Sequence, residues 1–173
     1  MTHEEQKRML HELYERHYRD VYRYARYLLG SHEEALDAVQ ETFLRAFRGI
    51  HSFKQKSTIK TWLLSITRHY AIDYLRKHGV SSNKHSSLSD HFVMADPTRS
   101  SDMKMEIENA LKCLKHDYRQ VFILRNVMDL SVRDTAAILR WSESKVRTTL
   151  HRSNMQMREF LGVDMKGGAS HRV

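Results

Sequence analysis

This sequence predicts an all-α chain: two small helical domains joined by a flexible linker. Three observations carry that expectation. One proline and six glycines occur in 173 residues; both residue types disfavour helix interiors, so their scarcity points to helix nearly throughout. Apolar residues recur at three- and four-residue spacing over long stretches at both ends of the chain. Between them lies a serine-rich stretch that holds the only proline and lacks apolar periodicity, which reads as a linker. The domains fall at residues 1–78 and 105–162, the linker at 79–104 and a disordered tail at 163–173.

In the first domain, Leu10, Leu13, Tyr14, Tyr18, Val21, Tyr22, Ala25 and Leu28 form the stripe of a helix over about 4–29, which Gly30 stops. Ser31-His-Glu-Glu34 is a capping box: the serine oxygen can accept an early backbone N–H and Glu34 can reach back. The helix it opens, about 32–49, turns Leu36, Val39, Phe43, Ala46, Phe47 and Ile50 inward. A third helix, about 58–78, carries Ile59, Leu63, Ile66, Tyr70 and Tyr74 on one stripe. The second domain repeats this logic in four shorter pieces, 103–115, 117–128, 132–140 and 143–161. Ser131-Val-Arg-Asp134 opens its third helix as a capping box, and Ser142 caps its fourth. Within the linker, Phe92-Val93-Met94 is a candidate docking piece.

Composition excludes several classes. No apolar run approaches the roughly 20 residues that span a bilayer, and the amino-terminal residues show no secretory signal. The single cysteine, Cys113, rules out an internal disulfide framework and fits a reducing compartment; a cytoplasmic protein is expected. Residues 1–78 carry 14 Lys and Arg against 10 Asp and Glu, and residues 105–173 carry 12 against 8, while 79–104 is neutral. Two basic modules with a chain total of +8 favour a polyanionic partner, nucleic acid first.

Three surfaces stand out. The last two helices, joined by the tight turn Arg140-Trp141-Ser142, have the form of a helix-turn-helix. Small residues at Ala136 and Ala137 let the helices cross closely. Outside the apolar stripe of the final helix stand Ser144, Lys145, Arg147, Thr148, His151 and Arg152, suited to base edges and phosphates. The second surface interleaves Lys54, Lys56, Lys60, Arg68, His69, Arg76 and Lys77 with Trp62, a pattern that tracks a single strand and offers a stacking platform. Tyr70 and Tyr74, on the apolar stripe, are expected in the core. The third surface, on helix 32–49, gathers Asp37, Gln40, Glu41 and Leu44. An acidic patch with an exposed leucine suits a protein partner better than DNA, although a solvated face with a Glu41–Arg45 pair is the simpler reading of those residues alone.

The motifs resemble a known family. Asp37-Ala-Val-Gln-Glu-Thr-Phe-Leu-Arg-Ala-Phe47, Phe53, Ser57-Thr-Ile-Lys-Thr-Trp-Leu-Leu-Ser-Ile66 and Asp73-Tyr-Leu-Arg76 are similar to region 2 of bacterial sigma factors of the extracytoplasmic-function group. Leu130-Ser-Val-Arg-Asp-Thr-Ala-Ala-Ile-Leu-Arg-Trp-Ser142 and Val146-Arg-Thr-Thr-Leu-His-Arg152 are similar to region 4. The resemblance implies a transcription initiation factor that binds core RNA polymerase and directs it to promoters. Asp37, Gln40, Glu41 and Leu44 would grip the β′ clamp helices, with the β flap as a second contact. Lys54, Lys56, Lys60, Trp62, Arg68, His69 and Arg76 would read and help melt the −10 element. Ser144, Lys145, Arg147, Thr148, His151 and Arg152 would read the −35 element. An anti-sigma factor, often a membrane protein, holds such proteins inactive. Two positions depart from the family: His69 stands where asparagine is frequent, and Thr149 where arginine is.

The resemblance implies no cofactor, no catalytic residue and no small-molecule substrate, since the polymerase supplies the chemistry. The twelve histidines are scattered without metal-ligand spacing, and neither a phosphate-binding glycine loop nor a nucleophile elbow occurs. The rival reading is a stand-alone helix-turn-helix regulator, which requires a dimer interface; no heptad seam supplies one.

Overall fold

The computed structural model describes residues 3–50, 53, 57–78 and 101–162. The expected linker core, Phe92-Val93-Met94, Lys54, Lys56 and the tail lie outside these residues. Seven α-helices and no strand occur among the described residues: α1 His3–Leu29, α2 His32–Gly49, α3 Ile59–Lys77, α4 Ser101–Cys113, α5 His116–Phe122, α6 Val132–Leu139 and α7 Glu143–Phe160. The expected capping serines do cap, whereas Glu34, expected to reach back to the start of its helix, accepts from the Tyr74 hydroxyl at 3.1 Å. Ser31 Oγ accepts from the Glu34 N–H, Ser131 Oγ from Asp134 and Ser142 Oγ from Lys145, each satisfying a backbone donor that a helix start leaves unpaired. Gly30, with φ of 78°, ends α1 where an L side chain would be strained.

Helices α1, α2 and α3 pack on one another, and this shifts the buried arcs from those expected. On α1, Leu13, Val21 and Ala25 are buried as the stripe predicts, but so are Tyr24, Tyr27 and Leu29, while Tyr14 is exposed. A helix covered by two others buries a wider arc than one stripe. On α2, Val39, Phe43 and Ala46 are buried as expected and so are the small residues Ala35, Ala38 and Thr42, while Leu36, Phe47 and Ile50 are only half-buried. Small side chains let α3 approach closely enough for the Thr42 hydroxyl to donate to Thr67 Oγ1 at 3.1 Å, and Thr67 in turn donates to the Leu63 carbonyl. Tyr70 and Tyr74, expected in the core, sit half-buried at its margin, stacked at 6.1 Å.

The expected helix 117–128 is divided. Its first part is α5; Ile123–Val127 then forms a π-helical turn, closed by Met128 N–H donating to the Ile123 carbonyl five residues back at 2.9 Å. The wider turn buries Ile123, Leu124 and Met128 together.

The two modules do not stand apart. One hydrophobic cluster runs through both, from Leu63 and Leu64 on α3 to Val121, Leu124, Ile138 and Val146. Helix α3 packs on α6. Thr61, almost wholly buried, donates to Asp134 Oδ1 at 2.8 Å. Arg68 Nε donates to Gln120 Oε1 at 3.2 Å. Beside this bond a cavity of about 40 Å³ is lined by Tyr24, Arg68, His116, Arg119 and Gln120 among apolar neighbours, enough for two or three waters. Burial pushes the Tyr24 phenol up, well above its usual range.

Candidate nucleic-acid interface

The geometry of α6 and α7 follows from local chemistry. Arg140, at φ 57° and ψ 42°, occupies the left-handed region and ends α6; Trp141 N–H donates to the Ala136 carbonyl, and Ser142 starts α7. Val146, Thr149, Ser153 and Met157 turn inward. Ser153 Oγ donates to the Tyr118 carbonyl at 3.0 Å, pinning α7 to α5. Ser144, Lys145, Arg147, Thr148, His151 and Arg152 are all exposed on the remaining faces. Ala136 is buried at the crossing and Ala137 is exposed.

Two of these cations are held by neighbours. Lys145 Nζ lies 3.6 Å from the Trp141 ring centroid and 3.8 Å from Asp117 Oδ2. Arg147 Nη2 donates to Glu143 Oε2 at 2.7 Å. Sequence reasoning missed Glu143, although the four-residue spacing of an acid before an arginine was there to find it. Thr149, one of the two departures from the family, is 8% exposed; its side chain faces the module interior.

Helix α3 divides its expected surface in two. Trp62, His69 and Arg76 recur every seven residues and share one face. Trp62 is half-buried with its ring 5.0 Å from Phe53, His69 is exposed, and Arg76 is exposed and paired with Asp73 at 3.0 Å. Lys60 and Arg68 turn elsewhere. Lys60 pairs with Asp20 of α1 at 3.0 Å, and Arg68 reaches across to Gln120 of the second module. Gln120 Nε2 lies 2.7 Å from His116 Nε2. Burial lowers the His116 pKa and outweighs the opposing pull of Asp117 beside it.

On α2, Asp37, Gln40 and Leu44 are exposed, and Leu44, at 49%, is among the most exposed large apolar side chains of the described chain. Glu41 is half-buried and accepts from Arg45 Nε at 2.6 Å, the pair that the spacing predicts. Arg45 also lies over the Tyr70 ring at 5.7 Å. Half-buried Leu36 and Phe47 extend this face beyond the four residues singled out from sequence. Among the described residues no group of three His, Cys, Asp or Glu is placed to hold a metal ion, and no helix is long and apolar enough to cross a membrane.

Residues 13–80 match the Sigma-70 region 2 family, and residues 104–157 match Sigma-70, region 4. The chain is 34% identical over 158 residues to the ECF RNA polymerase sigma factor SigX of Bacillus subtilis strain 168, covering 86% of this chain and 81% of that one. It is 32% identical over 156 residues to RNA polymerase sigma factor YlaC of the same strain, covering 87% and 90%. Among solved structures it resembles the sigma factor RpoE from Bartonella quintana, determined in complex with the anti-sigma factor NepR. That match has a TM-score of 0.72 and 26% identity, and covers 91% of this chain and 97% of that one. The chain belongs to the sigma-70 family, in its extracytoplasmic-function group. It is a sigma factor: an initiation factor for transcription, with a DNA-binding region 4.

Proposed function

We propose that the chain recruits core RNA polymerase to promoters through three surfaces and that an anti-sigma factor controls it. Residues 1–78 form the region 2 domain, 105–162 the region 4 domain, and 79–104 the linker between them. The face of Asp37, Gln40, Glu41 and Leu44 docks on the β′ clamp helices, and region 4 meets the β flap. Trp62, His69 and Arg76, with Lys54, Lys56, Lys60 and Arg68, engage the −10 element. The exposed face of α7 reads the −35 element. Arg68 is tied to Gln120 across the modules, so its use on DNA requires that seam to open. The protein acts in the cytoplasm and supplies no catalytic group; the polymerase performs the chemistry.

The observation that carries this reading is the exposed cationic face of α7, seated behind a capped turn. Anti-sigma control is supported by the likeness to RpoE, whose structure was determined with NepR bound. The test is size-exclusion chromatography of the purified chain with bacterial core polymerase. Co-elution near one to one is expected for the native chain and is lost in the Glu41→Lys, Leu44→Ala double variant. Retained co-elution of a folded double variant would remove the α2 face from the interface. No co-elution of the native chain would overturn the recruitment reading.

A further inference from the structure

The reading end of α7 carries one carboxylate among basic side chains. Glu143 is the first residue of the helix, followed on exposed positions by Lys145, Arg147, His151 and Arg152. A carboxylate at that place opposes a polyanion. Its local contribution to stability is small, because the Glu143–Arg147 pair is an exposed i,i+4 pair, with side chains 46% and 61% exposed. The carboxylate does order its neighbour: Glu143 Oε2 accepts from Arg147 Nη2 at 2.7 Å. That bond engages one of five guanidinium N–H donors and leaves the others for a base edge. Lys145, by contrast, lies over the Trp141 ring within 3.8 Å of Asp117, drawn back onto its own module.

We infer that Glu143 both orders Arg147 and stands beside it as a base reader, so that the pair gives α7 a preference for a G·C base pair in the major groove. Arginine presents two N–H groups to guanine O6 and N7, and a glutamate oxygen accepts from the cytosine N4 amino group. The two side chains stand four residues apart on one face, already joined, and offer both halves of that recognition. This inference rests on the reading of α7 as the −35 reader.

The test is selection from a pool of duplexes with a randomised upstream element, by the full chain assembled with core polymerase. The native chain is expected to enrich a motif holding a G·C pair. Glu143→Ala should lose the preference at that position by about tenfold, the size of one good base contact. Its affinity for unselected duplex should hold or rise, because a charge that repels phosphate is gone. A merely structural role would lower both. Glu143→Gln, whose amide oxygen still accepts from Arg147, should keep most of the preference. An unchanged motif with Glu143→Ala overturns the inference, and so does Glu143→Gln losing the preference as fully as alanine. A native chain that enriches no motif at all overturns the −35 reading itself, which distinguishes the two failures.

Discussion

Thr149 shows how one residue changes meaning with its surroundings. It occupies a place where the family resemblance implies arginine, yet here it is 8% exposed on the inner side of α7. Thr149→Arg should therefore lower stability by about 1–3 kcal/mol, as overpacking of a closed site does, with no gain in promoter affinity; thermal unfolding and duplex binding check both halves. Two histidines make a second case. Burial lowers the pKa of His17 and of His116. The unfolded chain then binds more protons than the folded one as pH falls below the ordinary histidine value of about 6.5. Stability is full above that value and declines below it, so the melting temperature should fall between pH 7 and pH 5. Replacing His17 and His116 together by Gln should flatten that decline. An equally steep decline in the double variant would place the acid sensitivity elsewhere. The burial of the two imidazoles is not legible in the sequence, where the twelve histidines look alike.

At the scale of the element, the turn before α7 joins a favourable cap to an unfavourable backbone. Ser142→Ala removes the acceptor for the Lys145 N–H and should cost about 1 kcal/mol. Arg140 holds a left-handed conformation that glycine adopts without steric penalty. Arg140→Gly should therefore raise stability by about 0.5–1 kcal/mol; chemical denaturation of both variants measures the pair of opposite signs. A destabilised Arg140→Gly protein would mean that the arginine side chain matters more than its backbone. The helix starts were legible because caps are local: Ser31, Ser131 and Ser142 bond to N–H groups three residues ahead. Buried arcs were less so. On α2 the apolar period found Val39, Phe43 and Ala46, but the packed side also takes in Ala35, Ala38 and Thr42 rather than Leu36 and Phe47, since close approach by α3 rewards small residues. The π-helical turn at Ile123–Val127 had no sequence signal at all.

Across the whole molecule, the seam between the modules carries both apolar packing and polar contacts. Thr61 and Asp134 lie 73 positions apart in the chain and are bonded at 2.8 Å. Asp134 also accepts from the Ser131 hydroxyl and belongs to the α6 cap, so a single substitution there mixes two effects. A double-mutant cycle of Thr61→Val and Asp134→Ala separates them. The coupling should be about 0.5–3 kcal/mol in unfolding free energy, as for other residues in contact. A coupling of zero would mean that this hydrogen bond adds nothing to the seam and would leave the joining to the apolar packing. The charge that suggested nucleic acid is spread over both modules. The seam divides its use: Arg68 is engaged across it, whereas the α7 cations remain outside.

Helix identity, caps, the two-module plan and the three candidate surfaces were decided locally, by periodicity, serine placement and charge. These are interactions among residues within about a turn of one another, so a linear sequence displays them. The split of the α3 surface, the inward turn of Thr149, the carboxylate hold on Arg147 and the joining of both modules into one core depend on which helix lies against which. That choice is made by shape and close packing between segments remote in the chain, and only the tertiary structure decides it.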